Sequence, residues 1–276
     1  MFEVLQYGFM QNALIAGLLA AVACGVVGTY VVTKRVVFIS GGIAHTSFGG
    51  IGLGYLAGFD PVLGAMIFAV ASALGIGVIT RKTKLSEDAT IGILWAMGMA
   101  LGTVFIGLAP GYAPDLFGYL FGSILTVRFS DIILMIILDA VIVVTVLALY
   151  KELLAMSFDE EFSSIVGIPV KVLHLLLLCL IALTIVVLIR VVGIILVIAL
   201  LTIPATLARQ FTYDLKKMMA LAVLFGVVFT YAGLWLSYVL NVASGATIIL
   251  LSGTVLFLYI GISRWRAGRR SHEHAP

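Results

Sequence analysis

Nine apolar runs, each close to the length of a bilayer-crossing helix, follow one another along this chain with only short polar breaks between them. They cover 8–32, 40–58, 61–80, 89–108, 131–150, 170–189, 191–208, 217–240 and 244–262. In lipid a backbone must satisfy its own polar groups, so runs of this length and composition can only become helices. The 276 residues leave room for about eight to ten crossings and their loops, and for no added soluble domain. The expected fold is therefore all-α: one polytopic integral membrane domain over 1–276, embedded in the lipid bilayer, with about eight to nine transmembrane helices. Charged residues make up 11% of the chain and the mean hydropathy is +1.24, against roughly 25% charged in soluble domains. A formal charge of +3 is too small to indicate nucleic-acid binding.

Lysine and arginine set the expected orientation, because they hold cytoplasmic loops in place during insertion. Threading nine crossings from an outer N-terminus puts fourteen of the sixteen basic residues inside and leaves only Arg128 and Arg190 outside. The C-terminus is then cytoplasmic, with 263–276 as a basic tail. The segment 112–127 is too short to cross comfortably and reads as an outer re-entrant or surface helix. The opening residues lack the basic stretch of a signal peptide, so no cleavable signal is expected.

The longest polar interruption, 150–171, falls on the cytoplasmic side of this threading. Asp159, Glu160 and Glu161 lead into Phe162, Ile165 and Val166, spacing that predicts a short amphipathic helix with an acidic start. Gly167 stops it and Pro169 opens the next helix. Two readings stay open on pattern alone: a surface on which a soluble partner pushes, or an ordinary interhelical loop.

Polar chemistry inside the apolar runs is sparse. His45 lies among Gly42, Gly49, Gly50, Gly52 and Gly54 in the second run, where an ionisable group must face protein or water. Imidazole suits borderline divalent metals and also accepts protons. The glycines permit close helix packing, or a break that lines a pathway. Asp139 in the fifth run and His174 at the start of the sixth are further candidates for an ion or proton path, and Asp139 equally suits a hydrogen bond to a neighbouring helix. Asp60 and Asp115 sit at the outer mouth, where carboxylates either attract a cation or simply solvate a loop. Cys24 and Cys179 both lie in apolar runs and read as small packing residues. No G-x-x-x-x-G-K-[ST] loop occurs, so the chain does not itself hydrolyse ATP in the P-loop manner. His272-Glu273-His274 has the wrong spacing for an H-E-x-x-H zinc helix.

The segments RVVFISGGIAHTSFGGIGLGYLAG, KLSEDATIGILWAMG, DLFGYLFGSIL, ELLAMSFDEEFSSIVGI, GIILVIALLTIPATLARQ and SGATIIL occur in that order. In order and spacing they resemble the permease subunits of ATP-binding-cassette importers for zinc, manganese and related divalent metals. The resemblance extends over about 17–259, and its most specific pieces are FDEEF-x4-GI and TIPATLAR, the latter containing Pro204. It implies a homodimer, each copy resting on a cytoplasmic ATPase that binds the ATP, and an extracytoplasmic metal-binding protein that delivers the cargo. It also implies that 158–167, with Phe158, Asp159, Glu160, Glu161, Phe162 and Gly167, is the coupling helix. Where many members read D-x-x-S-H, this chain has Gly41-Gly42-Ile43-Ala44-His45, keeping the histidine without the carboxylate. Asn241 likewise stands where an acidic residue is expected before SGATI.

The expectation is thus a transport subunit without enzymatic activity of its own, in the cell membrane, moving zinc or manganese past His45, Asp60, Asp115 and Asp139. Gly42, Gly49, Gly50 and Pro204 would shape the path. An importer of another cargo, such as a metal chelate, and a proton-coupled secondary carrier are the alternatives.

Overall fold

The computed structural model describes residues 7–110, 122 and 124–272. Its elements are helices α1 (Gly8–Thr33), α2 (Val37–Ala57), α3 (Pro61–Lys82), α4 (Glu87–Leu108), α5 (Phe129–Ala148), α6 (Tyr150–Phe158), α7 (Glu160–Ile165), α8 (Val170–Arg209), α9 (Leu215–Leu240) and α10 (Ser244–His272), with one 3-10 turn at Ile124–Thr126. Of the segment read as an outer re-entrant helix, Gly122 and 124–127 are described. The remainder, Asp115 included, lies outside the described residues.

Short polar side chains fix where the helices begin. Asp60 Oδ1 accepts from Val62 N at 2.8 Å, Ser86 Oγ from Ala89 N at 3.2 Å, and Asp214 Oδ1 from Lys217 N at 2.9 Å. Each supplies an acceptor to a backbone N–H that the first turn would otherwise leave unpaired. For this reason α4 and α9 start two residues before the apolar runs do. The last helix also runs through the basic segment to His272 rather than fraying at its start.

Contacts at the helix ends sort the bundle into two faces. Lys34, Arg81, Glu87, Glu160 and His174 line one cavity, Arg209 Nη1 donates to Val32 O at 3.1 Å, and Lys216 sits 4.8 Å over the Tyr150 ring. All of these lie on one face, called basic here. At the opposite face Asn12 Nδ2 donates to Val127 O at 3.2 Å. Because both His174 and Arg209 belong to the basic face, the single hydrogen-bonded run of α8 must cross and return. It does so at Gly193, whose φ of 79° and ψ of 162° break the helix. That backbone region is open essentially to glycine alone. With the two limbs of α8 counted separately, eight helical segments among the described residues are long and apolar enough to cross a membrane. The 21-residue α2 joins the basic end of α1 to the opposite end of α3, so it runs the length of the bundle without being one of those eight. Its glycines and His45 lower its apolarity below that of the others.

Helix α1 is the centre of one group, packed by α5, α8 and α9, while α2 is held between α3 and α4. The two groups meet through α8, whose first limb packs on α3 at Gly77 and whose second approaches α1 at Gly28. Small residues make this closeness possible: a Cβ on Gly50 would collide with the Gly64 backbone, and one on Gly52 would lie 2.6 Å from Gly102 O. A Cβ on Gly42 would strike Ile91, and one on Gly49 would stand 2.8 Å from the Phe68 ring. Pro204 is buried within the second limb of α8.

Candidate functional site: an intramembrane histidine and a docking helix

Among the polar residues of α2, the serine and threonine hydroxyls bond their own helix. Ser40 Oγ donates to Val37 O at 2.7 Å, Thr46 Oγ1 to Gly42 O at 2.7 Å and Ser47 Oγ to Ala44 O at 2.6 Å. Such back-bonding satisfies a hydroxyl locally and removes it from any other role. His45 differs, because its Nδ1 is buried without a partner. Its imidazole stacks on Trp95 of α4, with ring centroids 4.2 Å apart and planes 7° from parallel, and Phe38 stands 6.0 Å from the same indole. A side chain at position 41 would start 3.7 Å from the Trp95 ring. Where a carboxylate would be expected, the histidine therefore has an indole beside it.

The remaining acidic candidates are dispersed. Asp139 is buried on α5, the helix that packs on α1, and its Oδ2 has no partner. Asp60 is exposed and occupied as the cap of α3. Neither stands with His45, and among the described residues no three His, Cys, Asp or Glu side chains gather to hold a metal. The candidate donors of the described residues thus stand singly rather than as a cluster.

On the basic face, the interruption forms two short helices that meet at Asp159. Asp159 Oδ1 accepts from Phe162 N at 2.9 Å and caps α7. The far end closes with Ile168 N donating to Ser163 O at 3.0 Å and Gly167 N to Ser164 O at 3.2 Å, with Gly167 at a φ of 86°. This is a Schellman end, and it releases the chain into Pro169 and α8. Only Ser163 of α7 is buried. Phe158, Phe162, Ile165 and Val166 are all exposed, Ile165 at 78%. Four large apolar side chains held outward by a capped helix on a polar face form a surface suited to another protein.

Three contributors escaped sequence reading. Lys34 was legible only as one basic residue among many, yet its Nζ pairs with Glu160 Oε1 and donates to Met156 O at 3.2 Å. Trp95 carries no local mark of its stack on His45. Arg209 ends TIPATLAR, but its bond to Val32 O links segments 177 positions apart. Burial works against the Glu160 carboxylate, but the hydrogen bond and charge of Lys34, helped by His174 and Arg81, hold its pKa below the usual range. The Glu160 carboxylate is therefore ionised at neutral pH, and the stabilisation it contributes is lost as pH falls through that depressed value.

Comparison with known proteins places this architecture. Residues 6–263 match the model of the ABC 3 transport family. The chain is 47% identical over 264 residues to an uncharacterized membrane protein of Synechocystis, covering 96% of this chain and 94% of that one. It is 38% identical over 255 residues to the manganese transport system membrane protein MntC of Listeria monocytogenes, covering 92% and 91%. Among solved structures, a chain of PsaBC from Streptococcus pneumoniae, in complex with a Fab, superposes with a TM-score of 0.83 at 32% identity, covering 92% of each chain. With eight helices of crossing length and apolarity among the described residues and a family match over nearly its whole length, this multi-pass membrane protein belongs to the ABC 3 transport family.

Proposed function

We propose that this chain is the permease subunit of an ATP-driven importer that carries divalent manganese or zinc across the cell membrane. It works as a homodimer, rests on two copies of a cytoplasmic ATPase that binds the ATP, and receives metal from an extracytoplasmic binding protein. The basic face is cytoplasmic and the N-terminus outside, as the distribution of lysine and arginine favours. The observation that carries the reading is the outward apolar face of α7, capped by Asp159 and anchored to the bundle through Glu160. Closure of the ATPases pushes on Phe158, Phe162 and the residues up to Gly167, with Glu161 at the rim. The bundle then rocks between outward and inward access. Manganese is the choice the MntC relatives support.

Asp115 and Asp60 draw the cation to the outer mouth, and His45 and Asp139 serve it in turn within the bundle. Gly42, Gly49, Gly50 and Pro204 keep the packing that shapes the path. Divalent manganese binds most N/O/S sites more weakly than its first-row neighbours, so a single imidazole passes it on rather than trapping it. A metal chelate as cargo is the second reading, favoured by the uncharged indole beside His45 and the missing side chain at Gly41.

The test is radiolabelled manganese and zinc uptake into vesicles holding the chain with its ATPase and binding protein, with and without ATP. ATP-dependent accumulation of either metal is the expected result; an assembled, hydrolysing complex that takes up neither would overturn the free-ion reading. In the same vesicles His45→Ala is expected to lower uptake at least about tenfold, the factor carried by ~1.4 kcal/mol, with unchanged protein yield. Uptake equal to the parent would reduce His45 to a packing residue.

A further inference from the structure

The turn of residues 34–36 joins α1 to α2 and begins with the least expected charge on the basic face. Lys34 has a side chain only 7% exposed, an expensive position for an ammonium unless its neighbours compensate. Its two partners come from either side of the break at Asp159: the carbonyl of Met156 in α6 and the carboxylate of Glu160 in α7. Arg35 follows at a φ of 60°, a left-handed bend uncommon for a residue with a side chain, and α2 starts at Val37. Beneath the ion pair lies a cavity of about 320 Å³, walled by Ile76, Gly77, Thr80 and Arg81 of α3, Glu87 of α4 and His174 of α8. Thr80 Oγ1 and His174 Nδ1 are buried there without partners. The bundle is therefore not close-packed around the ion pair.

A push on α7 can reach the transmembrane helices along two routes. One is the chain itself, through Leu149 into α5 and through Pro169 into α8. The other is the contact of Lys34 with α6 and α7, which leads into the α1–α2 turn. The chain route reaches α2 sideways, through the packing of α8 on it, whereas the Lys34 contact enters at the turn where α2 begins. We propose that Lys34 is a positioning residue for transport, a strut that delivers the movement of α7 to α2 and so to His45. The proposal rests on the reading of α7 as the ATPase-docking helix. Helix α2 suits the receiving end, because its backbone is seated directly on those of α3 and α4. Displacing its basic end moves it as a body rather than bending it.

The experiment uses the assembled complex in proteoliposomes. A bimane label on Val37→Cys, in a Cys179→Ala background with Cys24 buried, reports on α2 by quenching from Trp95, which packs on the adjacent Phe38. Lys34→Met keeps the length of the stem and removes the charge; Lys34→Arg restores it. Lys34→Met is expected to bind the ATPase and hydrolyse ATP as the parent does. It should lose the ATP-driven change in bimane fluorescence and move roughly tenfold less manganese per ATP, within the range of ordinary coupling energies. Lys34→Arg should recover both readouts.

A parental fluorescence change or parental uptake in Lys34→Met would overturn the strut. So would loss of ATPase binding in this variant, which would make Lys34 part of docking, or the absence of any ATP-driven change in the parent. Failure of the docking reading is seen separately, as an ATPase that remains bound when the apolar face of α7 is charged. Failure of the metal reading is separate again, since the fluorescence change needs no cargo.

Discussion

Ile165→Glu is expected to release the ATPase from the chain and bring ATP-driven uptake to background while the bundle stays folded. Ile165 projects from the last turn of α7, and both the cap of the helix at Asp159 and its tie to the bundle through Glu160 on Lys34 are untouched by the change. An exposed substitution away from packing alters stability by only about ±0.5 kcal/mol. A carboxylate pressed into an apolar interface, by contrast, must be desolvated without a partner. Loss of a central apolar anchor commonly costs about 2 kcal/mol or more of binding, roughly a thirtyfold weakening. Co-purification of the ATPase with the detergent-solubilised chain measures the first effect, and vesicle uptake the second. An ATPase retained at the parental ratio would show that α7 is not its dock. Phe162→Glu, on the same exposed face, should give the same result, whereas a change at the buried Ser163 would confuse docking with folding.

The largest effect on folding is expected from Gly193→Val. At a φ of 79° and ψ of 162°, this residue turns α8 back through the membrane. A side chain there costs about 1–3 kcal/mol from backbone conformation alone, and a β-branched one belongs at the upper end. The Gly122 backbone lies against Val192 and the amide of Gly193, so the turn cannot relax outward. Straightening α8 would also pull its second limb from α1, where the backbone of Leu201 meets Gly28. The thermal midpoint of the solubilised protein should fall by several degrees, and the yield of monodisperse protein should drop. Gly92→Ala is the control, since Gly92 lies within helical α4 and an added Cβ there meets nothing within 4 Å. It should be neutral or slightly stabilising, by up to about 1 kcal/mol. Equal melting of the parent and Gly193→Val would refute the account of the turn.

The crossings were legible in the sequence because the bilayer imposes a length and an apolarity on each of them separately, and every run can be read without its neighbours. Helix α2 was legible in the same way despite its glycines, since 40–58 is bounded by Lys34-Arg35 on one side and Asp60-Pro61 on the other. The extent of α7 was also local information: the acidic start, Gly167 and Pro169 each act within a few residues. The caps at Ser86 and Asp214 were equally local and were passed over because the apolar runs begin two residues later.

Proximity was not legible. His45 and Trp95 are fifty positions apart, Lys34 and Glu160 are 126 apart, and nothing in either stretch specifies the other. The sequence by itself determined an all-helical membrane chain, the order of its apolar helices, which ends carry positive charge and where its amphipathic interruption lies. Those properties follow from the solvent each segment must meet. Only the tertiary structure decided that the histidine is covered by an indole, that Asp139 faces a different helix group, and that one lysine ties the interruption to the turn before α2. Those are outcomes of packing, which depends on every helix at once.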